Sequence, residues 1–233
     1  MATPRTPTWW FLEDCVPRQD SPQAAADLAQ VCEHLLVEHA VTDVISIHPE
    51  SWTEKLVAAG ADRLQRMIHL SLRLEANLLG MHQRPLPDGY RIEPLLLPED
   101  DPGPLSVLSH EDRRTEDLRV WEDALSGCYG PVIPEGSRMA VSLDGLHAAV
   151  VVTSHRGSPF VANIATAPGE RGRGFGHAVL VDAMAGLAAA GHTDCELSVV
   201  EDNWVAHRMY RSIGFHAHRP VSQVSWFRRS TDA

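Results

Sequence analysis

The feature that most constrains the fold is a glycine-rich turn between a strand pattern and a long apolar helix pattern. Gly172, Gly174 and Gly176 alternate within ERGRGFGHAVL, residues 170–180. The run FVANIATA before them predicts a strand, and the apolar residues after them, stopped by Gly191, predict a helix. Such a turn presents clustered N–H groups and the positive end of a helix to an anion. The sequence therefore predicts a phosphate site at this turn.

Two common phosphate-binding motifs fit the turn poorly. A P-loop needs a lysine after its last glycine, and this turn has none. A dinucleotide fingerprint needs G-x-G-x-x-G and an acidic residue about twenty positions on, a place that Glu196 fills, but the glycines here alternate strictly. A dinucleotide fold also needs several further strand–helix units, and the pattern after the turn predicts only one short helix and two strands. A nicotinamide-dependent oxidoreductase therefore stays the least favoured alternative.

A family resemblance explains the turn together with the segment downstream of it. The run NIATAPGERGRGFGHAVL resembles motif A of the GNAT family, the acyl-CoA-dependent N-acetyltransferases, in which a strand precedes R/Q-x-x-G-x-G/A and a helix. Arg171, Gly174 and Gly176 fill that pattern. The run EDNWVAHRMYRSIGF resembles motif B of the same family, which these residues fill: Asn203, Ala206, Tyr210, Gly214 and Phe215. Two motifs in the right order are far more specific than either one alone.

The resemblance covers about residues 90–230 and implies the GNAT fold, an α/β architecture around a mixed sheet. The segment before it has a related pattern, because helix, TD-strand, short helix and strand follow one another in 21–74 and again in 176–227. We therefore expect a degenerate half GNAT-like unit over 1–79, a linker over 80–89 and a catalytic GNAT domain over 90–230.

The half unit lacks the residues with which the family binds its cofactor. When Gly60 is matched with Gly214, Leu56 falls opposite Tyr210 and Pro49 opposite Asn203. No glycine turn precedes its helix either. We expect this block to pack on the catalytic unit, where it extends the sheet or shapes the acceptor pocket.

The resemblance implies acetyl-CoA as the acyl donor. It places the pyrophosphate on the backbone of residues 172–177, the pantetheine arm along Ile164 to Thr166 as an added strand, and Asn203 against that arm. The cofactor-binding residues expected on this basis are Ile164, Ala165, Thr166, Arg171, Gly172, Arg173, Gly174, Phe175, Gly176, His177 and Asn203.

The family mechanism implies a direct attack of an unprotonated amine on the thioester. A backbone N–H on the strand before the glycine turn would stabilise the oxyanion, and Tyr210 would protonate the departing thiolate as general acid. Ser198 holds the position of the glutamate base of some relatives, and Glu196 lies on the same strand face.

Other residues remain candidates for the base. In some relatives an acidic residue beside the pantetheine strand takes this role, but this chain has Asn163 at that position, an amide that cannot serve as the base. Glu201 is a weaker alternative. Histidines titrate near neutrality, so His147, His155 and His177 are also candidates.

Charge and composition limit the partners. The chain of 233 residues has a formal net charge of −11, which disfavours nucleic acid and suits a cationic small-molecule amine. No H-E-x-x-H or C-x-x-C pattern predicts a metal site, no long apolar run predicts a membrane span, and the four scattered cysteines suit reduced thiols in the cytoplasm. A homodimer, an acceptor that is a peptide N-terminus, and a non-catalytic acyl-CoA sensor stay open.

Overall fold

A computed structural model describes residues 9–13, 21–38, 43–75, 85–96, 103–109 and 114–227. The strands are β1 (Trp9–Glu13), β2 (Asp43–Pro49), β3 (Asp62–Arg73), β4 (Arg91–Pro94), β5 (Arg138–Ser142), β6 (Gly145–His155), β7 (Ser158–Thr166), β8 (Asp194–Val200) and β9 (His216–Phe227). The helices are α1 (Pro22–Glu38), α2 (Thr53–Ala58), α3 (Arg114–Leu125), α4 (Phe175–Ala189) and α5 (Trp204–Ile213).

The chain divides into two compact units that are discontinuous in sequence. Unit 1 is Met1–His69, Val199–Asn203 and Ala217–Ala233, and unit 2 is Leu70–Ser198 and Trp204–His216. The division interleaves the ends of the chain with the middle. The predicted boundaries at 79 and 90 stay predictions.

Unit 1 combines β1, β2, β9 and the first part of β3 (residues 62–69) with a small helical core. β1 runs parallel to β2, and β2 pairs antiparallel with β9. The apolar face of α1 packs on the short segment that follows β2, in a cluster that includes Leu28, Cys32, Trp52 and Leu56. This burial of apolar side chains stabilises a helix whose intrinsic propensity alone would be marginal.

Unit 2 is built on a mixed sheet. Its strand order is β8-β7-β6-β5-β4, in which β4 to β7 are antiparallel neighbours and β7 and β8 are parallel. The last four residues of β3, 70–73, also belong to this unit. The central strand β6 is buried almost throughout because helices and turns cover it, which explains its continuous apolar run. α4 is apolar around most of its circumference, as expected for a core helix, and Gly191, at φ +91°, follows its C-terminal end.

Several sequence predictions are confirmed. The order helix, strand, short helix, strand occurs in both 22–73 and 175–227, as the internal repeat predicts. The hairpin predicted to turn at Asp144 and Gly145 joins β5 to β6. Two elements differ: the sequence pattern does not predict β1, and β4 is shorter than the run YRIEPLLL suggests because it ends at Pro94.

Three further observations concern the described residues alone. None of their helices is both long and apolar enough to cross a membrane. They contain no group of three or more His, Cys, Asp or Glu side chains that could hold a metal ion. Cys32, Cys128 and Cys195 form no disulfides, and burial raises the pKa of the Cys195 thiol, which makes it a poor nucleophile. Cys15 lies outside the described part.

Candidate active site

β7 and β8 run side by side only near their beginnings. Their parallel ladder registers a single pair, Phe160 with Glu196. One or two residues further along β7, the register with β6 shifts, so that Ala162 is an extra residue between Val161 and Asn163. Such a bulge bends a strand and increases its twist. The second half of β7, which carries Ile164 to Thr166, is therefore paired with β6 along one edge and diverges from β8 along the other.

The glycine turn joins the end of β7 to α4. Gly172 and Gly174 have φ values of +79° and +90°, a backbone conformation that side chains other than glycine rarely adopt. A Cβ atom built at either residue would meet nothing within 4 Å, so this side of the backbone faces open space. The first hydrogen bond of α4 runs from the Ala178 N–H to the Gly174 carbonyl at 2.9 Å. The N–H groups of residues 175–177 thus lie before the helical ladder, where an anion can accept hydrogen bonds.

Gly176 serves a different purpose from the other two glycines. A Cβ atom on it would lie 2.9 Å from Thr166 Oγ1 and 3.6 Å from Met209 Sδ. The end of β7, the beginning of α4 and the middle of α5 therefore converge at Gly176. This close approach brings the helix that carries Tyr210 to the glycine turn.

The two arginines of the turn differ in how they are held. The side chain of Arg171 is exposed and its Nε donates to the Thr166 carbonyl at 3.4 Å. Arg173 forms an ion pair with Glu170, and its guanidinium lies 5.4 Å above the centre of the Tyr90 ring. A hydrogen bond to the Tyr90 hydroxyl raises the pKa of Arg173, whose guanidinium is a permanent cation beside the turn.

Tyr210 is buried on α5, and its ring packs edge-to-face on Phe215 at 5.8 Å. Burial raises the pKa of Tyr210 to about 12. The phenol is therefore protonated throughout the neutral range and can donate a hydrogen bond.

Among the candidate bases, Glu196 and Ser198 lie on β8, His147 and His155 on β6 and His177 on α4, all within unit 2. On β8, Cys195, Leu197 and Val199 are buried, and Glu196 and Ser198 share the opposite, half-buried face. The predicted common face of Glu196 and Ser198 is thus confirmed. Asn163 on β7 is likewise half-buried, and it directly follows the bulge.

Asn203 and Glu201 belong to unit 1. Asn203 is exposed directly before α5, and its N–H donates to the Val200 carbonyl at 3.0 Å. Arg66 holds the same turn: it binds the Glu201 carboxylate at 2.9 Å, and its carbonyl accepts the Glu201 N–H at 3.0 Å. A carboxylate held by an arginine is a poor candidate for a general base.

Two predicted cofactor-binding residues have buried side chains, Phe175 and His177. Contacts between these residues and a donor must therefore come from their backbone N–H groups. Sequence reasoning missed the partners of Phe175, which are Tyr90 at a ring distance of 4.8 Å and His147 at 5.6 Å. No local pattern marks them, because β4, the β5–β6 hairpin and the glycine turn are brought together only by the sheet.

Comparison with known proteins supports this architecture. Residues 143–226 match the family model of FR47-like protein. The fold is similar to a GCN5-related N-acetyltransferase from Sphaerobacter thermophilus (18% identity, TM-score 0.62, 93% of this chain and 72% of that one).

Two further solved structures have similar folds. A tandem GNAT protein from the clavulanic acid biosynthesis pathway, solved without AcCoA, gives 18% identity and a TM-score of 0.60 over 92% of this chain and 73% of that one. A GCN5-related N-acetyltransferase from Kribbella flavida gives 15% identity and a TM-score of 0.59 over 91% of this chain and 78% of that one. No curated protein sequence matches significantly. Residues 143–226 thus carry the FR47-like sequence pattern, and the chain has the fold of the GCN5-related N-acetyltransferases.

Proposed function

We propose that the protein transfers an acetyl group from acetyl-CoA to a primary amine of a small molecule. The observation that carries this proposal is the convergence at Gly176 of the diverging strand β7, the open glycine turn and the helix with Tyr210. A pyrophosphate fits the N–H groups at the start of α4. An extended pantetheine arm fits the edge of β7 that leaves β8.

The reaction we propose is a direct displacement in a ternary complex. The amine nitrogen bonds to the thioester carbon, the carbon–sulfur bond breaks, and the electron pair leaves on the CoA sulfur. The proton that the nitrogen loses passes through Glu196, or through water held by Ser198, and ends on the thiolate. A backbone N–H of β7 stabilises the oxyanion.

The high pKa of Tyr210 defines its part in this reaction. A phenol with a pKa of about 12 lies some 3–4 units above an ordinary thiol, so full proton transfer to the thiolate is uphill by about 5 kcal/mol. Tyr210 therefore acts mainly by donating a hydrogen bond to the leaving sulfur as its charge develops. This stabilises the transition state more than the thioester ground state.

The net charge of −11 supports a cationic acceptor, which an acidic surface attracts. The segment 121–137, which comprises the last residues of α3 and the connection to β5, is a candidate acceptor-binding segment. An acceptor that is a peptide N-terminus would use the same donor site.

The first test is thermal denaturation with acetyl-CoA, followed by an amine panel in which released CoA is measured. Saturation at a hundred times Kd adds about 2.7 kcal/mol, so we expect Tm to rise by about 5–10 °C. Binding without turnover on any amine would instead identify an acyl-CoA sensor. A shift with NADH and none with acetyl-CoA would favour an oxidoreductase.

The second test is Tyr210→Phe, which keeps the buried ring and removes the donor. We expect kcat to fall about 100-fold with little change in acetyl-CoA affinity. Ser212→Ala is the matched control, because it removes an exposed hydroxyl from the same helix. Equal kcat values for the two variants would contradict the role of Tyr210.

A further inference from the structure

We propose that His147 is a positioning residue that holds both ends of the donor-phosphate loop, residues 171–174. The inference rests on the proposed function, since it assumes that this loop binds the pyrophosphate of the acyl donor. His147 lies on β6, distant in sequence from the loop, and it is almost completely buried.

A bulge in β6 places His147 beside the loop. In the β5–β6 ladder Ala140 pairs with Ala148 and Val141 pairs with Leu146, so His147 is the extra residue. A bulged residue is withdrawn from the regular alternation of the strand, and its side chain is re-aimed. The imidazole is thereby packed against the residues that flank the loop.

His147 contacts the loop segment at three points. Its carbonyl accepts the Ala167 N–H at 2.9 Å, where the chain leaves β7. Its Nδ1 lies 3.7 Å from Oε1 of Glu170, the residue directly before the loop. Its ring stacks on Phe175, the residue directly after the loop, with centroids 5.6 Å apart and planes at 24°. One side chain therefore contacts both ends of a four-residue loop.

Ser142 fixes the orientation of the imidazole. Its Oγ lies 2.7 Å from His147 Nε2 and accepts the Asp144 N–H at 3.0 Å. In the tautomer in which the Ser142 hydroxyl donates to Nε2, the ring proton lies on Nδ1, which faces the Glu170 carboxylate.

The loop needs this support because two of its four residues are glycines, which contribute no side-chain packing. Gly172 and Gly174 have open space where side chains would lie, and glycine has the most conformational freedom to lose. Glu170, which faces His147, pairs with Arg173, whose guanidinium lies over the rings of Tyr90 and Phe175. His147 thus orders the loop and its charged side chain before the donor arrives, which lowers the entropy cost of binding.

The test compares two donors with the full-length protein. S-acetylpantetheine has the thioester arm of acetyl-CoA without the pyrophosphate. Only the affinity for acetyl-CoA therefore depends on the loop. Isothermal titration should show His147→Gln binding acetyl-CoA about 10-fold more weakly, with the affinity for S-acetylpantetheine within about twofold of wild type. His192→Gln is the matched control, since it changes a histidine beyond the far end of α4 and should alter neither affinity.

A second variant covers the case in which His147→Gln does not fold. Glu170→Gln keeps the size of a more accessible side chain and removes the charge that faces His147 and Arg173. This variant too should weaken the binding of acetyl-CoA selectively, with little change in the affinity for S-acetylpantetheine. A general loss of structure would instead weaken both donors equally.

The outcomes separate this inference from the proposed function. If the wild type binds neither donor, the proposed function is wrong and the inference with it. If the wild type binds acetyl-CoA more tightly than S-acetylpantetheine and both variants keep that ratio, the inference alone is wrong.

Discussion

At the scale of single residues, the buried phenol of Tyr210 makes the free energy of unfolding fall as the pH rises in the alkaline range. Its pKa is raised from 10 to about 12 in the folded protein. A raised pKa means that the folded state keeps a proton that the unfolded state releases, so the contribution is complete below pH 10 and lost between pH 10 and 12. At pH 11 the loss amounts to about 1 kcal/mol.

Urea denaturation at pH 8 and pH 11 measures this effect. We expect the free energy of unfolding of the wild type to fall about 1 kcal/mol further over this interval than that of Tyr210→Phe, because Phe cannot ionise. The other titrating groups are common to both proteins and cancel in the difference. Ser212→Ala should keep the pH dependence of the wild type. Parallel falls in wild type and Tyr210→Phe would show that the phenol titrates normally.

The residue scale also shows what a sequence can and cannot predict. Gly172 and Gly174 could be identified because their function depends on the local backbone, which the alternation of glycines reports. The common face of Glu196 and Ser198 follows in the same way from the two-residue period of a strand. The contacts of His147 with Phe175 and Glu170 depend on a bulge and on strand register, which are set by long-range pairing. No pattern in the residues near His147 carries that information.

At the scale of elements, the packing of α4 depends on the absence of a side chain at Gly176. Gly176→Ala places a methyl group 2.9 Å from Thr166 Oγ1, so either the Thr166 side chain must turn away or β7 and α4 must move apart. Overpacking of this kind costs about 1–3 kcal/mol, and the displaced turn should bind acetyl-CoA more weakly. Denaturant unfolding and calorimetric titration measure the two effects.

Two further variants make this prediction specific. Gly169→Ala is the matched control within the same turn, since Gly169 has no positive φ and its Cβ would meet nothing within 4 Å. Thr166→Ala, combined with Gly176→Ala, removes the clashing atom and should restore part of the lost stability. Purely additive free energies in the double variant would show that the two residues do not interfere.

At the scale of the whole molecule, the division into two units that are discontinuous in sequence indicates that the N-terminal block is needed for the C-terminal block to fold. Unit 1 joins Met1–His69 to Val199–Asn203 and Ala217–Ala233. Within it β2 pairs with β9 from Asp43 opposite Phe227 to Pro49 opposite Val221. A strand of the first copy of the sequence repeat, β2, is therefore hydrogen-bonded to a strand of the second copy, β9. The first copy nevertheless lacks the residues with which the family binds its donor.

A fragment of residues 85–233 tests this dependence. The fragment lacks β2 and β3, the two strands beside β9, and a strand with open edges promotes aggregation. Removal of Arg66 also releases the turn that carries Asn203, the expected ligand of the pantetheine arm. We therefore expect the fragment to be aggregated or to show no Tm shift with acetyl-CoA. Co-expression of residues 1–84 as a separate chain should restore both its solubility and the Tm shift. A soluble fragment with the acetyl-CoA affinity and turnover of the full chain would show that the N-terminal block is dispensable.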